Sequence, residues 1–321
     1  MLKVIELFAG VGCQNQALKN IGIDFEVVGI SEIDKFAISS YFQLHPEVDK
    51  SFNLGDICKI KELPKADLWT YSFPCQDLSW NSNKELPKYL LLENVKNLVG
   101  KRFKPDFDKW LTKLENLGYT NYWKVLNAKD YGIPQNRERV FVVSILGKNN
   151  KYEFPKKKEL KLKLRNILED KVDEKYYLKD YQIENIKKSN YTTTQRRIQQ
   201  KDYCDTLCAR DWKDPKCIQV GELNIKGHDC IKRIYSDEGI SPTLTNMQGG
   251  NRQPKILDES KNYKTRKLTP KECWRLMGWK DEQFNKLSNI SNTQLYKQAG
   301  NGIVINVLEE IFKMLFYKNN E

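Results

Sequence analysis

A doubly wound, mostly parallel α/β sheet with a second, smaller, β-rich domain is the architecture this sequence predicts, on three observations. Short apolar runs alternate with helical patterns from residue 3 to about 146, the order that gives a parallel sheet with helices on its faces. The first apolar run ends in a glycine turn that opens a helix. After about residue 150 the chain becomes Lys-rich, then rich in Thr, Gln, Asp and Gly from Tyr191 to Gln253, with short β-like pieces.

Each element has its own signal. Lys3–Phe8 is a compact apolar run that passes through Ala9-Gly10-Val11-Gly12 into a helical pattern over Gln14–Asn20. A second strand over Phe25–Ile30 ends at Glu32, and helical periodicity follows from Lys35 to Phe42, before Pro46. Further strands are expected at Asp67–Ser72, Tyr89–Leu92, Tyr122–Leu126 and Arg139–Ile145, with a helix over Phe107–Leu117 that stops at Gly118. Thr269-Pro270 reads as a helix start, Thr as cap and Pro in the first turn, and an apolar helix is expected over Ile303–Phe316. The predicted division is residues 1–175, 176–285 and 286–321, the last returning to the first domain.

Composition excludes several classes. With 321 residues, 40% hydrophobic and 11% aromatic, the chain can bury a core that a disordered segment cannot. Its longest apolar stretches, such as Tyr89–Leu92 and Val140–Leu146, fall far short of the roughly 20 residues a spanning helix needs. No basic region precedes the first strand as in a secretory signal, so the expected location is the cytoplasm, away from membranes. Eight cysteines spread along such a chain read as reduced thiols. The net charge of +12 is uneven: −3 over residues 1–100, +11 over 101–200 and +4 over 201–321. That asymmetry fits a polyanion bound by the later part of the chain, and equally a solvated Lys-rich surface at Lys156–Lys158 and Lys161.

Three successive strand ends carry residues suited to an adenosine-containing cofactor. The glycine turn brings backbone N–H groups close to a ligand, Glu32 is placed to accept ribose hydroxyls, and Asp56 of Gly55-Asp56-Ile57 to accept from an adenine amine. Phe73-Pro74-Cys75-Gln76 puts a thiol at the carboxyl end of a strand, where an open α/β sheet presents reactive groups. Glu93 ends the following strand, so its carboxyl projects beside that thiol and can act as a proton donor in a partly dry site. Arg137 and Arg139, two residues apart, point to one face and can clamp a phosphate or a base edge.

This ordered set resembles the DNA cytosine-5 methyltransferase family of bacterial and phage restriction-modification type. The matching elements are Phe8-Ala9-Gly10-Val11-Gly12, Glu32, Gly55-Asp56-Ile57, Pro74-Cys75-Gln76, Glu93-Asn94-Val95, Gln135 with Arg137 and Arg139, Arg266-Lys267-Leu268-Thr269, and Gln298-Ala299-Gly300-Asn301. They span the chain apart from about residues 150–230. The resemblance implies a Rossmann-like fold and S-adenosylmethionine as cofactor, leaving S-adenosylhomocysteine. The cofactor-binding residues it implies are Phe8, Gly10, Gly12, Glu32, Ile33, Asp56, Ile57, Pro74 and Asn301. It further implies a cytosine flipped out of a short duplex DNA site, because ring chemistry cannot reach a stacked base. Cys75 would attack C6, Glu93 would hydrogen-bond N3, and Arg139, with Arg137 beside it, would hold the O2 side while C5 takes the methyl group.

The segment from Tyr191 to about Gln253 is then the target-recognition region, with Gln76, Arg196, Arg197, Arg210, Arg233, Thr243, Gly249 and Gly250 as candidate DNA contacts. Cys204, Cys208, Cys217, Cys230 and His228 lack a paired C-x2-C knuckle, so no metal site is expected. The expected protein is a monomer on double-stranded DNA, accompanied genetically but not physically by any restriction endonuclease.

The chain departs from the family pattern in one large way. Only Asp77–Lys88 separates Gln76 from the strand beginning at Tyr89, where the family places a long loop and a helix. This shortening predicts an alternative, a DNA-binding relative that keeps its cofactor but methylates poorly. Smaller departures are Cys13 in place of a second Gly, Gly302 in place of Ser, and Ile33 where an aromatic residue often covers the adenine.

Overall fold

A computed structural model describes residues 1–72, 86–148, 150–178, 217, 219–223, 225, 227–247, 251–258 and 264–317. Its main sheet holds six strands, β1 (Leu2–Leu7), β2 (Phe25–Ser31), β3 (Leu68–Tyr71), β4 (Tyr89–Val95), β5 (Tyr119–Asn127) and β7 (Glu138–Leu146), in the order β2-β1-β3-β4-β7-β5. The first four in that order are parallel, and β7 runs antiparallel to both β4 and β5. The expected mostly parallel sheet is therefore present, with one reversed strand. β3 and β4 pair in parallel, Leu68 opposite Tyr89 and Tyr71 opposite Leu92, so the short crossover leaves the sheet continuous.

Side chains alternate across the sheet with period two, and both faces are buried. Val4, Leu68, Leu91 and Val143 face α1 (Cys13–Asn20) and the Ile305–Phe316 helix; Ile5, Trp69, Leu90, Leu92 and Val142 face α3 (Lys104–Asn116). Helix α2 (Lys35–Leu44) begins at Asp34, whose carboxylate accepts from the amides of Phe36 and Ala37. Thr269 caps its helix as expected: its hydroxyl accepts from the Glu272 amide, Glu272 accepts from the Thr269 amide, and Pro270 fills the first turn.

A second sheet of four strands has the order β12-β11-β9-β8, from β8 (Gln219–Glu222), β9 (Arg233–Ser236), β11 (Lys255–Asp258) and β12 (Lys264–Lys267). It is pinned by fully buried Arg266, which donates to Asp258 at 3.1 Å and, through two nitrogens, to Glu272 at 2.9 and 2.8 Å. Between the two sheets, β6 (Gln135–Asn136) pairs in parallel with β10 (Ser241–Pro242). Part of the basic stretch after residue 150 is ion-paired locally: Lys157 pairs with Asp130, Lys158 with Glu310, and Lys163 with Glu238. These lysines behave as a solvated, ion-paired surface. Among the described residues no helix is long and apolar enough to cross a membrane.

Candidate active site

The first turn is built by backbone conformations that side chains disfavour. Phe8, Gly10 and Gly12 all have positive φ, at 58°, 58° and 78°. Gly12 has no alternative there, since a Cβ would lie 2.3 Å from His45 Nε2 and 2.8 Å from the Tyr41 ring. Behind the turn, His45 Nε2 lies 3.2 Å from the Val11 carbonyl and its Nδ1 lies 2.9 Å from Lys19 Nζ. The ring therefore donates from Nε2 and accepts at Nδ1; burial, then Lys19, holds it neutral with a pKa lowered to about 3. In front of the turn, Glu32 accepts from the amides of Gly10, Ile33 and Asp34 at 2.8–2.9 Å, tying the end of β2 to the end of β1.

These elements enclose a cavity of about 280 Å³. Of the residues expected to bind cofactor, Phe8, Gly10, Glu32 and Asn301 line it. The others are placed differently. Gly12 shapes the turn from behind, Ile33 is 73% exposed to the side, and Asp56 and Ile57 lie outside the lining. There Asp56 caps the short 3-10 turn Ile57–Lys59 by accepting from the Cys58 amide. Pro74 lies outside the described residues.

Asp34, Ser72 and Lys297 also line the cavity and were not expected there; Cys13 and Gly302, the two small departures from the family pattern in the glycine turn and after Asn301, line it as well. Burial raises the Asp34 pKa, but the Lys297 hydrogen bond and the two helix amides outweigh it and hold the carboxyl below its ordinary value. The one signal available for Lys297 was its spacing of four from Asn301, which puts both on one helix face. The Cys13 thiol is buried, which pushes its pKa up to about 12 and keeps it protonated.

A second cavity, of about 550 Å³, is lined by Ser72, Glu93, Asn94, Val95, Phe103, Arg137, Arg139, Gly300 and Asn301, among others. Glu93 and Arg139 meet here because β7 is reversed: Val95 at the end of β4 pairs with Arg139 near the start of β7. Arg139 Nε lies 3.2 Å from Glu93 Oε1. Burial raises the Glu93 pKa, and the charges of Arg139 and Arg137 oppose but do not cancel that rise. Asn94 donates to the Ser72 carbonyl, fixing the end of the strand that leads to Cys75. Cys75 and Gln76 themselves lie outside the described residues.

Arg137 does line this cavity, yet its guanidinium is committed elsewhere. It is buried and donates to the carbonyls of Leu244 at 2.8 Å, Gly300 at 2.9 Å and Gly302 at 2.8 Å. The two arginines expected to act as one pair thus have separate duties, because the chain breaks between β6 and β7 at Arg137.

Among the candidate DNA contacts, Arg233 is exposed at the start of β9, and the Thr243 hydroxyl donates to the Asn136 carbonyl. Arg196, Arg197, Arg210, Gly249 and Gly250 lie outside the described residues, as do Cys204 and Cys208. Among the described residues no cluster of three His, Cys, Asp or Glu suits a metal ion.

A reversed strand in an otherwise parallel sheet, a glycine turn opening on a cavity and a buried acid beside an arginine are the framework of an α/β enzyme site. The chain belongs to the C-5 cytosine-specific DNA methylase family, whose sequence profile matches residues 2–86 and 82–317. The two matched stretches meet inside the connection from β3 to β4, where the chain is short. It is 37% identical to the type II methyltransferase M2.ScrFI of Lactococcus lactis subsp. cremoris, over 98% of this chain and 99% of that protein. It is 32% identical to the type II methyltransferase M.HhaI of Haemophilus parahaemolyticus, over 97% and 93%. In fold it resembles the Dnmt2 methyltransferase of S. pombe, with a TM-score of 0.68 and 18% identity over 100% and 99% of the two chains.

Proposed function

We propose that this protein transfers a methyl group from S-adenosylmethionine to C5 of a cytosine flipped from a short duplex DNA site. The observation that carries the reading is that the two cavities adjoin, sharing Ser72 and Asn301 as common walls. The donor set of the smaller cavity fits the cofactor. Glu32 and Asp34 suit hydroxyls and positive charge, Lys297 and Asn301 suit a carboxylate, and left-handed Gly10 adds no side chain to the lining. When bound, the cofactor would supply an electrophilic methyl group.

The chain's own residues would do the rest. Cys75, carried by the segment that follows Ser72, adds as thiolate to C6 and makes C5 nucleophilic. Glu93, whose pKa burial raises above the ordinary carboxyl value, would donate to N3 and stabilise the electron density pushed into the ring. Arg139 orients Glu93 and presents its charge to the O2 side. After C5 has taken the methyl group, it loses its proton to a base, and the electron pair left behind expels the Cys75 thiolate, restoring the ring double bond.

Residues 176–285 serve as the recognition domain, with Arg196, Arg197, Arg210, Arg233, Thr243, Gly249, Gly250 and Gln76 toward the DNA. The protein acts as a monomer, without physical contact to any restriction endonuclease, in the cytoplasm. The alternative of an impaired DNA-binding relative is not favoured: β3 and β4 pair normally, and Glu93 and Arg139 stand together.

The test measures tritium transfer from labelled S-adenosylmethionine to plasmid DNA, with 5-fluorocytosine duplexes as covalent traps and Cys75→Ser as control. Transfer and trapping by the unaltered chain, both lost in the variant, are expected. Cofactor and DNA binding without either signal would sink the catalytic reading.

A further inference from the structure

The recognition segment and the cofactor cavity meet at one side chain. Arg137 Nη1 donates to the Leu244 carbonyl, and Nη2 donates to the carbonyls of Gly300 and Gly302. Gly302 and the intervening Asn301 line the cofactor cavity; Leu244 lies in Thr243-Leu244-Thr245, two residues after β10. The join is tight on both sides. The Leu244 amide donates to Gln135 Oε1 at 3.2 Å, and Gln135 Nε2 donates to the Leu276 carbonyl at 2.8 Å. A Cβ on Gly300 would fall 1.8 Å from the Thr245 carbonyl oxygen, so the helix Asn292–Asn301 and the recognition segment touch backbone to backbone. Nε of Arg137 is buried without a partner among the described residues, so the guanidinium is held by those three carbonyls and not by a carboxylate.

We infer that Arg137 is a positioning residue that couples occupancy of the cofactor cavity to the order of residues 241–247, the edge of the recognition region. The inference rests on the proposed cofactor reading. A ligand resting on Asn301 and Gly302 restrains the carbonyls that hold the guanidinium, and the guanidinium in turn restrains Leu244. Ordering the segment for DNA then costs less once the cofactor is present, a coupling that needs no large movement. Linkage makes it reciprocal. Arginine is required because one planar group must reach three acceptors on two separate segments, which a single ammonium cannot do in the same geometry.

The test is amide hydrogen exchange of peptides spanning 241–247 in the full chain, with and without saturating S-adenosylhomocysteine, whose binding is measured separately by calorimetry. In the unaltered protein the ligand is expected to slow exchange there by about tenfold, within the usual range of coupling between sites. In Arg137→Lys and Arg137→Met the ligand still binds, but the slowing falls to less than about twofold, with a purely structural role leaving the ratio intact. Gly300→Ala, which pushes the same junction apart from the other side, gives the same loss and serves if the Arg137 variants do not fold. Ligand binding to the unaltered protein without slowing overturns the coupling alone, as does slowing that persists in a folded variant. Failure of the ligand to bind the unaltered protein overturns the cofactor reading and the coupling with it.

Discussion

The two sheets of this molecule are held by different physics. The six-stranded sheet has apolar residues on both faces, and its glycine turn is fixed by backbone amides gathered on Glu32. The four-stranded sheet is small, and beside apolar residues such as Ile256 it buries an ion group, Arg266 between Asp258 and Glu272. Apolar burial tolerates small errors in shape, whereas a buried ion group is stable only when every member is present. The six-stranded sheet should therefore yield gradually to substitution and the four-stranded sheet abruptly at its ion group.

The sharpest way to break that contrast is Arg266→Ala, which strands two buried carboxylates. A loss of about 3–5 kcal/mol is expected in denaturant unfolding, and a loss within about 1 kcal/mol would show that the four-stranded sheet does not depend on its ion group. Next in size is Glu93→Gln, which should lower kcat about a hundredfold, the usual scale for losing a positioned acid, while cofactor affinity measured by calorimetry holds. Since Arg139 pulls the Glu93 pKa down against burial, Arg139→Ala should move the alkaline limb of the kcat–pH profile to higher pH.

Glu6 sharpens the comparison from inside the apolar sheet. It is fully buried, accepting from the Asn15 amide at 2.9 Å and from the Tyr41 hydroxyl, and desolvation raises its pKa from 4.5 to about 7. A raised carboxyl contributes stability below pH 4.5 and loses it as pH rises toward 7. The loss is about 3 kcal/mol at most. Glu6→Gln should therefore flatten the fall in Tm between pH 5 and 7, and an unchanged slope would mean that Glu6 ionises freely. Smaller still, Glu32→Ala should weaken S-adenosylhomocysteine binding about tenfold, the cost of about one charged hydrogen bond.

What was legible in the sequence follows chain order. The strands, the glycine turn and the Thr269 cap are local patterns, and all six main-sheet strands fall within a few residues of their expected places. Phe8, Gly10, Glu32 and Glu93 were legible because each ends a strand at the edge where the cavities lie. The direction of β7 was not, since an apolar run looks the same in either sense. Nor were the Arg137 acceptors, which are backbone carbonyls more than a hundred residues away that leave no mark on residue type. Lys297 beside Asp34 escaped for the same reason, the two being 263 positions apart.

That last separation bears on how the protein comes into being. The smaller cavity is lined by residues from 8–37, by Ser72 and by residues from 297–303. A chain still in synthesis has a finished glycine turn long before it has a finished pocket. Until the helix ending at Asn301 has been made and docked, there is nothing to close over the ligand. Because a ligand that binds only the closed form adds its binding free energy to that last docking step, cofactor supply during synthesis should favour completion of the fold as well as the reaction.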